Sequence, residues 1–97
     1  MGVLNELRDK SHIWAKAKGF YDEPKHFGVL LALIHSEVSE ALEADRRGDI
    51  GMVGEEFADI LIRVFDAAGY YKIDLDYHVK RKMAINESRP YKHGKKY

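Results

Sequence analysis

Apolar residues recur along most of this chain at intervals of three and four, the spacing of one face of an α-helix, and the alternation of a half-buried strand is hard to find. A first helix is predicted from about Val3 to Lys18, with Leu4, Leu7, Ser11 and Trp14 on one stripe and Gly19 placed to end it. Asp22-Glu23-Pro24 reads as the next helix start, with acids before or in the first turn and proline near its first position. From there a long second helix carries Phe27, Leu30, Leu31, Ile34, Val38, Ala41 and Leu42 to about Arg47, ending at Gly48. The turn Gly48-Asp49-Ile50-Gly51 leads into a third helix, roughly Met52 to Tyr70, containing Phe57, Ile60, Leu61, Val64, Phe65 and Ala68. That helix is apolar on most sides, the mark of burial all round, which a short chain reaches most easily in a dimer. Asp74 is placed to cap a fourth helix running to about Asn86, with Leu75, His78, Val79, Lys82 and Met83 close to one face, and Pro90 stops it. Tyr91 to Tyr97 is basic, contains glycine and reads as a mobile tail. The expected fold is all-α: one four-helix bundle-like domain over 1–97, completed by oligomerisation.

Polar residues interrupt the apolar stripes in two places. Glu37-Val-Ser-Glu40 lies in the second helix and Glu56-Phe-Ala-Asp59 in the third, and in both the acids extend an apolar face instead of occupying the opposite one. An i, i+3 pair projects from one side of a helix, so two such helices packed together would aim four carboxylates at one small volume. Burying those charges without partners costs several kcal/mol each, by order of magnitude, and is relieved by protonation or by a cation. All-oxygen ligands suit Mg²⁺ or Mn²⁺. The plainer reading is of solvated acids, as Glu43, Asp45 and Asp66 are read, or of acids paired with Arg63 or a lysine. A di-iron bundle also uses inward carboxylates but normally needs Glu-x-x-His on two helices. The nearest strings, Glu23-Pro-Lys-His26 and Asp9-Lys-Ser-His12, are poorly placed for it.

Composition narrows the function classes. The chain has 97 residues, enough for one small domain with little margin, and 16 Lys+Arg balance 16 Asp+Glu, so no global charge advertises a nucleic-acid or anionic-membrane partner. Acids crowd the middle, whereas Lys80, Arg81, Lys82, Arg89, Lys92, Lys95 and Lys96 make the end basic. With no cysteine there are no disulfides, thiolate metal sites or cysteine nucleophiles. No apolar run is long enough for a membrane span or a signal peptide, so a cytoplasmic protein is expected. Lys82 and Asn86 fall four apart on one helical face, a cation and an amide able to hold a phosphate or a sugar hydroxyl. Trp14, Phe20 and Phe27 could stack on a nucleobase or simply be core.

Glu37-x-x-Glu40, then Glu56-x-x-Asp59, then Lys82-x-x-x-Asn86-x-x-Arg89 and a closing His93-Gly94-Lys95 together resemble the MazG-like branch of the all-α nucleoside triphosphate pyrophosphohydrolases. The resemblance covers roughly Trp14 to Lys95. It implies Mg²⁺-dependent cleavage of a nucleoside or deoxynucleoside triphosphate between the α- and β-phosphates, and assembly as a dimer or dimer of dimers. By carry-over, Glu37, Glu40, Glu56 and Asp59 would be metal ligands. Lys82 and Asn86 would face the phosphate and sugar end of the substrate, with Arg89 a further contact and Trp14 a base-stacking candidate. Many members carry two adjacent acids where this chain has Ser36-Glu37; the general base is then open, and Glu40 is the choice. The alternative function is a non-catalytic helical dimer that binds a partner. Nucleic-acid binding by the basic end fits least, because nearby acids would repel a phosphate backbone.

Overall fold

In the computed structural model, which describes residues 2–96 (His93 by its backbone only), four helices follow one another without a strand: α1 Val3–Ala17, α2 Phe27–Arg46, α3 Ile50–Tyr70 and α4 Leu75–Ser88. The fold is all-α, as the spacing predicts. Each of the first three helices ends in the same way. The amide of the residue in left-handed conformation after the helix, and the amide beyond it, turn back to carbonyls of the last turn: Gly19 to Lys16 and Phe20 to Ala15, Gly48 to Asp45 and Asp49 to Ala44, Lys72 to Gly69 and Ile73 to Ala68. Gly48 takes φ 73° at no steric expense; Lys72 takes φ 54°, which no glycine rule would locate.

The helix starts differ from expectation where tertiary contacts decide them. The second helix begins at Phe27, three residues after Pro24, with His26 Nδ1 accepting from the Gly28 amide at 3.0 Å. Residues 24–26 stay outside the helix, with the Tyr70 hydroxyl donating to the Lys25 carbonyl, and winding begins where Phe27 packs on the Tyr70 and Tyr71 rings. The third helix starts at Ile50, not Met52, because Asp49 Oδ1 accepts from the Met52 amide and so caps it two residues early. Asp74 caps α4 as predicted, through the Tyr77 amide, and α4 runs to Ser88, beyond the expected Asn86. Tyr91–Gly94 forms a 3-10 turn; Tyr97, the last residue of the predicted tail, and the His93 side chain lie outside the described residues.

A three-residue connection, Arg47–Asp49, folds α2 and α3 into an antiparallel hairpin, and α1 packs along the other side of α3, also antiparallel to it. Small side chains make this approach close: Ala41 and Ala44 on α2, and Ala67 and Ala68 on α3, are buried together with Leu30. α4 packs on the start of α1 through a reciprocal clasp. Asp76 accepts from the Leu4 and Asn5 amides of α1, while Asn5 donates to Asp74 and accepts from the Leu75 amide of α4. A Cβ on Gly2 would overlap the Asp76 carboxylate, so glycine there is what allows the clasp to close.

One expectation is corrected. Asp66 is not a solvated acid: it is buried, 2.8 Å from His12 Nδ1, and accepts from the Tyr21 hydroxyl at 3.0 Å. Within one chain α3 leaves Phe57 58% and Leu61 54% exposed. The radius of gyration, 15.8 Å, exceeds the roughly 12–13 Å of a compact domain this long. No large side chain is fully buried among the described residues, so the apolar faces of the hairpin are not covered by the chain itself.

Candidate metal centre and its cleft

Gly48 lies midway between the two acidic pairs: Glu40 is eight residues before it and Glu56 eight after, while Glu37 and Asp59 are both eleven away. In an antiparallel hairpin, residues equidistant from the turn come to the same level, so Glu40 meets Glu56 and Glu37 meets Asp59. One carboxylate oxygen from each of Glu37, Glu56 and Asp59 falls within 4.8 Å of the other two. Glu40 lies beside Glu56, close enough for the two to share a proton. That contact, followed by desolvation and by the charges of Glu40, Asp59 and Glu37, pushes the Glu56 carboxyl up to about 7 from its ordinary 4.5.

The surroundings of the three acids are unequal. Glu37 is buried, Glu56 half-buried and Asp59 exposed. Glu56 Oε2 is closed off from solvent and has no hydrogen-bond donor, a state that a buried acceptor rarely keeps. Glu37 has a partner: Arg63 Nε stands 3.4 Å from its Oε1, one of the pairings considered from sequence. The donor set is all oxygen, and an ion held at about 2.1 Å from each ligand asks for oxygens about 3–4 Å apart. The observed cluster therefore needs only modest contraction to hold a hard divalent cation, and the orphaned Glu56 oxygen fits the same group. Glu37, Glu56 and Asp59 could hold a metal ion.

Beside the acids opens a cleft of about 390 Å³. Glu37, Asp59, Arg63 and Asp66 supply its polar side, and α1 with the following loop supplies Trp14, Lys18 and Phe20. Trp14 is 59% exposed, with Lys10 Nζ 5.7 Å from its ring centroid, so the indole is an exposed flat surface at the rim and not core. The position of α1 is held from behind by the His12–Asp66–Tyr21 cluster, in which the two rings meet edge to face at 4.9 Å. Burial and the Asp66 carboxylate push the Tyr21 hydroxyl well above the ordinary tyrosine range.

The structure thus brings together Glu37, Glu40, Glu56, Asp59 and, across the cleft, Trp14. Lys82, Asn86 and Arg89 are elsewhere: they are exposed on α4 and at its end, and none lines this cleft. Sequence reasoning gave Asp66, His12 and Tyr21 no place at the site. Asp59, Arg63 and Asp66 are spaced four and three apart on one face of α3, a signal that could have drawn Arg63 and Asp66 into it. Among the described residues no helix is long and apolar enough to cross a membrane. No protein-family model, curated protein or solved structure matches the chain.

Proposed function

We propose that this chain is a MazG-like, Mg²⁺-dependent nucleoside triphosphate pyrophosphohydrolase of the cytoplasm, releasing monophosphate and pyrophosphate. The observation that carries the reading is the convergence of Glu37, Glu56 and Asp59 within 4.8 Å beside a cleft that has an aromatic rim. A divalent ion, when bound, supplies neutralisation of phosphate oxygens and activation of water. Glu37, Glu56 and Asp59 would hold it. Glu40, outside that trio but against Glu56, is the carboxylate left to take the proton of the attacking water. Hydrolysis breaks the α–β anhydride, the water oxygen stays on one product, and pyrophosphate departs. Trp14 gives the base a stacking surface.

Lys82, Asn86 and Arg89 enter this reading as substrate contacts brought to the acids by a second copy of the chain. The uncovered Phe57 and Leu61 and the open shape support such a dimer, because a domain in which no large side chain among the described residues is fully buried gains most from pairing. One observation favours the competing reading of a non-catalytic partner-binding module: Arg63 already neutralises Glu37 without any ion. Product analysis separates the two. Canonical and damaged nucleoside triphosphates incubated with Mg²⁺ should yield monophosphate and pyrophosphate; diphosphate with orthophosphate, or no turnover together with a melting temperature indifferent to millimolar Mg²⁺, would overturn the enzyme.

A further inference from the structure

Arg63 is four residues beyond Asp59 and three before Asp66 on α3, and it crosses to α2 to reach Glu37. Its contact there is a single one, Nε to Oε1 at 3.4 Å, long for a charge-assisted hydrogen bond and far from the two-pronged geometry that makes Arg–carboxylate pairs strong. Its terminal nitrogens meet no protein acceptor among the described residues. The guanidinium carbon lies 5.9 Å from the centroid of the Phe20 ring, and both side chains line the cleft. Arg63 is 31% exposed and Glu37 12%, so the pair sits where the screened surface gives way to the interior.

Resting on the metal-centre reading, we infer that Arg63 is an exchangeable counter-cation and the anion-recognition residue of the cleft. Without a divalent ion it neutralises Glu37. When an ion takes Glu37 Oε1, the guanidinium is released, kept at the cleft by the Phe20 face, and presents its planar fork to the oxygens of a phosphate group. Two cations compete for one buried carboxylate, so the arginine opposes ion entry; once displaced, it adds a donor for the anionic ligand. Ion and phosphate therefore bind with positive coupling, since each favours the state in which Arg63 has left Glu37.

Calorimetric titration with Mg²⁺ alone, then with inorganic phosphate at saturating Mg²⁺, tests this on wild type, Arg63→Gln and Arg63→Lys, with thermal melting as the check on folding. Arg63→Gln should bind Mg²⁺ about fivefold or more tightly than wild type and phosphate correspondingly more weakly. Arg63→Lys keeps the competing charge but not the fork, so its Mg²⁺ affinity should stay near wild type while its phosphate affinity falls. If wild type binds Mg²⁺ and Arg63→Gln binds it equally or less well, or binds phosphate undiminished, the inference fails and the metal centre stands. If neither wild type nor Arg63→Gln binds Mg²⁺, the inference falls together with the metal centre.

Discussion

Two glycines in α3, Gly54 and Gly69, should respond to alanine in opposite directions. In a helix interior the exchange ordinarily stabilises by about 0.5–1 kcal/mol, because glycine loses more backbone freedom on folding. At Gly54 a Cβ would meet nothing within 4 Å, so the full gain should appear. At Gly69 the same atom would stand 2.5 Å from His12 Cβ and 2.7 Å from its Cγ, against the 3.5–4.0 Å of ordinary carbon contacts. The obstacle is the root of a side chain on α1, which moves only if the helix moves. Overpacking of this kind costs about 1–3 kcal/mol, and displacing His12 also weakens its 2.8 Å hydrogen bond with buried Asp66, a bond to a charged group worth about 1.5–3 kcal/mol. The clash wins: Gly69→Ala should lose roughly 2–4 kcal/mol net. At about 4–8 °C per kcal/mol for a domain of this size, Gly54→Ala should melt a few degrees above wild type and Gly69→Ala at least about 8 °C below it, by circular dichroism. Because α1 carries Trp14 at the cleft rim, ligand binding should weaken in Gly69→Ala alone. Stabilisation by both substitutions would refute the close α1–α3 approach.

Glu56 makes stability depend on pH when no divalent ion is present. Its folded-state pKa, raised to about 7, means that the native state keeps a proton the unfolded chain releases near 4.5, so this group's contribution to stability falls as pH rises from about 5 to about 8. Melting in chelator should show that decline in wild type relative to Glu56→Gln, and Mg²⁺ at pH 8 should reverse it; parallel pH curves for the two proteins would refute the coupling. Lys82→Ala should weaken triphosphate binding, read by calorimetry, while leaving the Mg²⁺-dependent melting shift unchanged, and loss of both would mean the assigned roles are wrong. Asp49→Ala, which removes the cap on the Met52 amide, should destabilise by about 1 kcal/mol in urea unfolding with an unaltered denaturant slope.

Local chemistry made much of the fold legible. Intervals of three and four, Gly19 and Gly48 at the helix ends and Asp74 before the last helix are short-range signals whose physics is complete within one turn of chain, and they reappear in place. The convergence of Glu37, Glu56 and Asp59 was legible for the same reason: the i, i+3 spacing aims each pair from one side of its helix, and the short connection brings the two helices together. The start of α2 was not, because it is set by contacts more than forty residues away: the Tyr70 hydroxyl donates to the Lys25 carbonyl and Phe27 packs on the Tyr70 and Tyr71 rings.

The fate of each acid depended on its neighbours in space. Asp45 and Asp66 look alike as acids on amphipathic helices, yet Asp45 is exposed, whereas α1 brings His12 over Asp66 and the loop brings Tyr21. Likewise no spacing rule says that Arg63 will reach Glu37 through one nitrogen, or that one oxygen of Glu56 will be left without a donor. Helix periodicity is a property of consecutive residues and is written in their order. The electrostatic state of a carboxylate is a sum over whatever charges, donors and water surround it, and those are assembled only when separate helices pack.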